Sequence, residues 1–161
     1  MAEIPQQRID PKAKNAWRIS GGLQSLLLWF FPIQYYYWYS HWETPFEIIY
    51  PLAMIVLLIN IAVVTILPVI RWRRWSYEIG TDEIELRHGL FIITRTLIPI
   101  YRVQHVDTRQ GPLYGGFGLA SVTISTAATT HEIPALNEAT AIEVRSRISE
   151  LARKAREDVT I

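Results

Sequence analysis

The stretch that decides the fold runs from Ile48 to Ile70 and reads IIYPLAMIVLLINIAVVTILPVI, which is 23 residues without a charged side chain. An α-helix rises about 1.5 Å per residue, so about 20 apolar residues are needed to cross the hydrocarbon core of a bilayer. A buried helix of a soluble protein is normally shorter and carries a polar stripe. The stretch therefore predicts a transmembrane helix.

A second apolar stretch precedes it, from Ile19 to Tyr39, with the sequence ISGGLQSLLLWFFPIQYYYWY. It carries no charge, and it ends in an aromatic cluster that includes Trp38 and continues to Trp42. Tyr and Trp favour the headgroup region, because the apolar ring can be buried there while its polar edge stays hydrated. A cleaved signal peptide would have a shorter apolar part and a small-residue cleavage site. The stretch predicts a first transmembrane helix.

Basic residues flank these two stretches and are absent between them. The turn Ser40–Glu47, SHWETPFE, contains no Lys or Arg. Arg18 stands just before the first stretch, and Arg71, Arg73 and Arg74 follow the second. Lys and Arg near the ends of membrane helices are retained on the cytoplasmic side. We therefore expect a multi-pass protein of the cell (inner) membrane, with both termini cytoplasmic and the turn external.

The chain accordingly divides into three parts. Residues 1–18 form a cytoplasmic N-terminal segment, residues 19–70 a transmembrane hairpin with helices at about 19–39 and 48–70, and residues 71–161 a cytoplasmic domain. The last part, about 90 residues, is enough for one small domain and too short for two.

Gln24 of the first predicted span and Asn60, near the centre of the second, are two of the three amide side chains within these spans. A lone amide in lipid is costly, so each needs a hydrogen-bond partner. They could bond to each other within the hairpin, or to a neighbouring subunit in an assembly. Neither span contains Asp, Glu, Lys or Arg, which argues against an ion-coupled transporter.

The residues after Trp72 change from apolar blocks to alternation. Val122, Ile124 and Thr126, for example, alternate with Ser and Thr. Short strands at about ten-residue spacing indicate an antiparallel meander that curls into a sandwich or barrel. The predicted strands are Trp75–Ile79, Ile84–Arg87, Leu90–Ile100, Val103–Arg109, Ala120–Ala127 and His131–Pro134.

The C-terminal segment has helical periodicity instead. Asn137 is a good N-cap, and Glu138 favours the positive end of a helix. Apolar residues then recur at spacings of three and four, which predicts one amphipathic helix of about 18 residues; they are Ala141, Val144, Ile148, Leu151 and Ala155. The fold class is thus a two-helix transmembrane hairpin followed by an antiparallel β-barrel or sandwich with one C-terminal capping helix, an architecture like that of pleckstrin-homology (PH) domains.

Particular residues of the β-domain extend this likeness. The stretches concerned are Val103-Gln104-His105-Val106-Asp107, Arg109-Gln110-Gly111-Pro112-Leu113, Gly118-Leu119-Ala120, Thr126-Ala127 and Ile133-Pro134-Ala135-Leu136. They resemble the bacterial PH-like membrane proteins of the YdbS type, which also place two transmembrane helices before one such domain. At Tyr114-Gly115-Gly116 the chain departs from the family pattern, which has a charged residue there. The resemblance implies a motif carried by Gln104, His105, Asp107, Gly111, Pro112 and Gly118.

Several kinds of chemistry find no support in the sequence. A net charge of +1 argues against nucleic-acid binding, and the absence of Cys removes thiol chemistry and Cys-based zinc sites. The four histidines have no close ligand spacing, and Gly115–Gly118 is not followed by the Lys of a phosphate-binding loop. We expect no enzyme activity, no metal and no cofactor. Specific inositide binding is also disfavoured, because the first hairpin loop, Gly80–Glu83, is acidic.

One set of basic residues allows two interpretations. Arg95, Arg102 and Arg109 lie on successive predicted elements of the β-domain. They could form a patch that contacts anionic headgroups or an acidic partner. Equally, they could pair with Glu78, Glu85 and Asp107 across strands, which would contribute only a few tenths of a kcal/mol each.

These observations favour a membrane-anchored, non-catalytic PH-like module that mediates protein–protein assembly at the inner membrane surface. The resemblance implies a partner that carries further PH-like domains and a role in envelope or stress physiology; self-association is the other option. One alternative is a subunit of an oligomeric transport or channel assembly, whose pore Asn60 and Gln24 would line. Another is an anionic-lipid-binding domain.

Overall fold

The structure, a computed structural model, describes residue 5, residues 7–42 and residues 46–159. It contains two compact units: Lys14–Val69, and the described residues up to Ala13 together with those from Ile70 onward. The centre of the expected external turn, at residues 43–45, lies outside the described residues, as does the side chain of Trp42.

Both apolar stretches are helical, as predicted. The first comprises α1 (Ala13–Leu26), a 3-10 turn (Leu27–Trp29) and α2 (Phe30–Trp42). The second comprises a 3-10 turn (Phe46–Ile48), α3 (Ile49–Ile61), a π-helical turn (Ala62–Ile66) and α4 (Leu67–Arg74). Ile49–Arg74 is a continuous helix of 26 residues, and in the described chain it alone is long and apolar enough to cross a membrane. A membrane crossing by the first stretch therefore remains a prediction.

The two apolar stretches pack closely at one glycine. Gly21 of α1 is buried, and a Cβ atom at this position would lie 3.1 Å from Val63 Cγ1 and 3.3 Å from the Val63 carbonyl oxygen. Small residues let membrane helices approach to backbone distance. Nearby, the Ser25 hydroxyl donates to the Gly22 carbonyl oxygen at 2.8 Å, so its polar group is satisfied within its own helix.

The β-domain consists of two antiparallel sheets. The first sheet has the strand order β1-β2-β3-β4 and the second the order β5-β6-β7. The strands are β1 (Gln7–Arg8), β2 (Ser76–Ile79), β3 (Glu83–His88), β4 (Thr94–Pro99), β5 (Val103–Arg109), β6 (Leu119–Thr126) and β7 (Thr130–Asn137). The predicted antiparallel meander is confirmed. No ladder joins β4 to β5 in the described residues, so the sheets are not closed into a hydrogen-bonded barrel.

A strand from the N-terminal segment completes the first sheet. Gln7 pairs with Tyr77 and Arg8 with Ser76. The next residue, Ile9, is only 1% exposed, and its carbonyl oxygen accepts a hydrogen bond of 3.1 Å from Trp72 Nε1. The N-terminal segment, predicted to be separate from the C-terminal domain, thus contributes to the core of the β-domain.

The predicted strand Leu90–Ile100 is shorter in the structure. Pairing between β3 and β4 begins at His88 and Thr94, so the residues between them form a loop. After β4 the chain makes a 3-10 turn at Ile100–Arg102. The apolar residues of the loop imitate a buried strand in sequence, although Phe91 and Ile92 are exposed.

The C-terminal helix α6 (Glu138–Val159) packs on the second sheet, and it is 22 residues long. The Ala139 amide donates to Asn137 Oδ1 at 3.1 Å, which confirms the predicted N-cap. Ala141, Val144 and Ile148 are buried, so the apolar stripe of the helix faces the core as predicted. Sheet residues buried in the same core include Ile84, Leu86, Leu119, Val122, Ile124 and Ile133.

Candidate interaction surface

The family motif begins on a strand that lies at a sheet edge. β5 pairs only with β6 in the described ladders, so its outer margin carries backbone groups without a strand partner. Val103 is buried, and the register shifts between Val103 and His105, which leaves Gln104 on a bulge and exposed. We define the β5 edge as Gln104, His105, Asp107 and Arg109.

An ion pair organises the centre of this edge. His105 Nε2 lies 3.1 Å from Asp107 Oδ1, and the two side chains are 72% and 47% exposed. Alternate residues of a strand project to the same face, which brings the pair together. The imidazole of His105 thus contacts a carboxylate of its own strand. Such an exposed pair adds little stability.

A groove with a cavity volume of about 650 Å³ lies beside the β5 edge. Its lining residues come from both sheets, because Leu97 and Pro99 belong to β4, and Val103 and Gln104 belong to β5. His131 of β7 also lines it. The groove therefore lies where the end of β4 and the start of β5 come together.

The other motif residues build the turn between β5 and β6. Gly111 precedes the short helix α5 (Pro112–Gly116), and Pro112 occupies its first position, where a missing amide proton costs nothing. Gly118 has a φ angle of +63°, a left-handed conformation that favours glycine, and its carbonyl oxygen accepts from the Glu138 amide at 3.1 Å. These residues shape the connection between β5 and β6 and its junction with α6.

The Ile133-Pro134-Ala135-Leu136 stretch has a role that the sequence did not reveal. The register between β6 and β7 shifts here, and Ala135 has a φ angle of +52°. The Ala135 carbonyl oxygen accepts a hydrogen bond of 3.1 Å from the Asp10 amide. This bulge therefore holds the N-terminal segment onto the domain. A left-handed alanine leaves no sequence signal, because glycine is the residue expected there.

Arg95, Arg102 and Arg109, which could form a patch or pair across strands, lie on different elements. Arg95 is on β4 in the first sheet, and Arg109 is on β5 in the second. Arg102 lies in the 3-10 turn, where its guanidinium carbon is 5.6 Å from the centroid of the Tyr101 ring. The described residues show no ion pair between these arginines and Glu78, Glu85 or Asp107.

The residues assigned to membrane topology lie at helix surfaces. Arg71, Arg73 and Arg74 form the last turn of α4 and are exposed. Arg18 is exposed on α1, and Trp38 is exposed on α2. Their role in membrane topology stays a prediction, which rests on the preference of basic groups for the ends of spanning helices.

Asn60 and Gln24 have no hydrogen-bond partner among the described residues. Asn60 is half-buried on α3 and Gln24 is exposed on α1. Within the described residues neither side chain makes a hydrogen bond, so the predicted Asn60–Gln24 bond is not formed.

Titratable groups do not gather into a reactive cluster. In the described part of the chain no three His, Asp or Glu side chains are close enough to hold a metal ion. Burial, and then the charge of Glu143, raises the pKa of Tyr77 above its ordinary value. A hydrogen bond and the positive charge of Lys154 lower the pKa of Glu150 on the surface of α6. Each shift has a structural cause within the fold.

Comparison with known proteins agrees with this architecture. Residues 23–152 match the family model described as Bacterial PH domain. The chain is 42% identical over 161 residues to the UPF0699 transmembrane protein YdbS of Bacillus subtilis (strain 168), an alignment that covers 99% of this chain and all of that protein. It is also 35% identical over 86 residues to the UPF0699 transmembrane protein YdbT of the same organism, covering 53% of this chain and 17% of that protein. No solved structure matches. The chain therefore belongs to the bacterial PH domain family, as a membrane protein of the YdbS type.

Proposed function

We propose that this chain is a two-pass membrane protein whose PH-like domain is a non-catalytic assembly module at the inner surface of the cell membrane. The domain binds another PH-like domain, carried either by a second copy of the chain or by a longer membrane protein of the same family. The observation that carries the proposal is the β5 edge, where Gln104, His105 and Asp107 stand beside an unpaired sheet margin.

Two crossings are supported by the ends of the hydrophobic segment. β1 precedes the segment and pairs with β2, which follows it. Strands of one open sheet lie on the same side of a membrane, because unpaired backbone groups are not stable in hydrocarbon. The segment between them crosses an even number of times. Since Ile49–Arg74 is long enough to cross once, the residues before it return the chain across the bilayer.

The cytoplasmic placement of the domain rests on charge. Arg71, Arg73 and Arg74 lie in the last turn of the helix Ile49–Arg74, and Arg18 lies in the N-terminal half of α1. The positive-inside preference assigns these ends to the cytoplasm. The β5 edge is then presented to proteins at the inner membrane surface.

The β5 edge supports binding of a strand from another protein. An unpaired edge strand is a template for β-augmentation, in which backbone hydrogen bonds give affinity and side chains at the margin give specificity. The groove beside β5 provides room for side chains of the added strand. The exposed His105–Asp107 pair supplies a polar recognition element.

The relatives support a partner of the same fold. An 86-residue part of this chain matches 17% of YdbT, so a related sequence occurs inside a longer transmembrane protein of an organism that also carries a full-length relative of this chain. Domains with the same sheet edges suit paired assembly, because each offers an edge of the same geometry.

Site-specific photo-crosslinking in intact membranes tests the proposal. A photoreactive residue replaces Gln104 in one variant and Ser146, an exposed position on α6, in the control. We expect adducts from position 104 that contain a second PH-like membrane protein or a second copy of this chain, with few from position 146. Equal yields from the two positions, or adducts with lipid alone, would contradict the assigned surface.

A further inference from the structure

The loop between β3 and β4 exposes apolar side chains to an unusual degree. It comprises Gly89, Leu90, Phe91, Ile92 and Ile93. Phe91 is 87% exposed and Ile92 is 82% exposed, whereas the most exposed large apolar side chain in the described hydrophobic segment reaches 75%. Contiguous apolar surface of this kind marks a contact with another apolar phase or molecule.

The backbone holds these side chains outward. The β3–β4 ladder closes at the pair His88 and Thr94, immediately before and after the loop. Gly89 has a φ angle of +139°, and a Cβ atom there would lie 1.8 Å from the Ile92 carbonyl oxygen. Only glycine fits this position, so the chain turns back on itself and projects Phe91 and Ile92 from a closed loop.

The loop is fastened to the end of the spanning helix. The guanidinium Nη1 of Arg74 donates a hydrogen bond to the Leu90 carbonyl oxygen. Arg74 is the last residue of a helix of 26 residues, which is about 39 Å long. The hydrocarbon core is about 30 Å thick, so the last turn of the helix reaches the headgroup layer. The apolar loop is thereby held near the bilayer surface.

Uncompensated positive charge surrounds the base of the loop. Arg87 of β3 and Arg95 of β4 stand directly opposite each other in the ladder. Like charges in this position are destabilising, and neither arginine makes an ion pair within the described residues. The loop itself contains no acidic residue. Phosphate groups of anionic lipids would relieve this repulsion.

We propose that the loop Gly89–Ile93 inserts Phe91 and Ile92 into the leaflet in which the helix Ile49–Arg74 ends. Arg87 and Arg95 contact lipid phosphates at the level of the headgroups. The bilayer is the favoured occupant over a protein, because Arg74 ties the loop to a helix that already ends at that surface. This second contact would fix the tilt of the domain, and it does not depend on what the β5 edge binds.

Fluorescent labelling at single cysteines tests the insertion directly. The chain contains no Cys, so Ile92→Cys creates one labelling site for an environment-sensitive NBD group. Thr81→Cys, at the exposed β2–β3 turn, is the matched control. The full chain is reconstituted at one copy per nanodisc of phosphatidylethanolamine and phosphatidylglycerol, with nitroxide-labelled lipids as quenchers.

We expect the label at position 92 to emit at shorter wavelength, to be protected from iodide and to be quenched several-fold more by shallow nitroxides than the label at position 81. Similar water-like emission at both positions would overturn the proposal. Protection of the label at position 92 from iodide that appears only with a second copy per disc or with an added protein would also overturn the proposal. The loop would then contact a protein and not the bilayer. The contact between the arginines and lipid phosphates is tested separately. With Arg95→Gln, we expect the quenching of the label at position 92 to depend less on the phosphatidylglycerol content of the nanodisc.

Discussion

Gln7 and Tyr77 are paired in one antiparallel ladder, although the whole hydrophobic segment lies between them in the chain. The domain is therefore built from both sides of that segment. Ile9 enters the core directly after the pairing, and Asp10 bonds to the bulge at Ala135. The hydrophobic segment is thus inserted in sequence between two parts of the domain, and the N-terminal segment is a structural part of the domain.

Removing the side chain of Ile9 tests this arrangement. Ile9 is 1% exposed, so we expect Ile9→Ala to lower the free energy of unfolding by about 2–5 kcal/mol, through lost burial and the cavity left behind. Chemical unfolding of the reconstituted protein, followed by tryptophan fluorescence, measures the change. Ile142→Ala is the control, because Ile142 is 47% exposed on α6. Similar losses in the two variants would contradict a core position for Ile9.

The buried Tyr77 predicts a loss of stability in alkali. In the folded protein the pKa of Tyr77 is raised above the value of about 10 that it has in the unfolded chain. Above that pH the folded state binds more protons than the unfolded state, so the free energy of unfolding falls as the pH rises toward the folded pKa. Thermal unfolding between neutral pH and about pH 11 should show a shallower decline for Tyr77→Phe than for the parent chain. An unaltered slope in Tyr77→Phe would refute the linkage.

Two neighbouring glycines allow a matched test of helix packing. A Cβ atom at Gly21 would crowd Val63, including a backbone oxygen that cannot rotate away, whereas at Gly22 it would meet Val64 Cγ2 at an ordinary 3.9 Å. We expect Gly21→Ala to destabilise the helix pair by about 1–3 kcal/mol, as overpacking does. Gly22→Ala should be neutral or slightly stabilising. Thermal unfolding in mild detergent measures both, and equal midpoints would exclude the close contact.

Much of the fold could be predicted because apolar periodicity reports burial. The alternation at Val122 and Ile124 predicted β6, and the spacing from Ala141 to Ile148 predicted α6; both elements are confirmed. β1 was missed because two polar residues carry no periodic pattern.

The sequence predicts a strand at Leu90–Ile93, where the structure has a loop. The prediction is wrong because composition alone cannot separate an exposed apolar loop from a buried strand. Of the motif, Gly111 and Gly118 could be interpreted as turn formers. The position of Gln104 and His105 at a sheet edge could not be predicted, because the order of strands depends on contacts between residues distant in sequence.

The amide of Asn60 provides a test inside the membrane. It has no hydrogen-bond partner in the described chain, so we expect it to bond across a subunit contact. Asn60→Leu should weaken assembly by about 0.6–2 kcal/mol, the range of interhelical hydrogen bonds in membranes. Ile61→Leu, at the next position, is the apolar control. Crosslinking yield from position 104 in each background gives the comparison, and an unchanged yield in Asn60→Leu would remove the amide from the contact.

The mass of the protein in its native lipid tests the central claim most directly. The chain is released from its own membranes in polymer-bounded nanodiscs and its assembly is measured by native mass spectrometry. The account predicts particles that contain this 18.6 kDa chain together with a second PH-like membrane chain or a further copy of itself. A uniform monomer without a second protein, at native expression level, would contradict it.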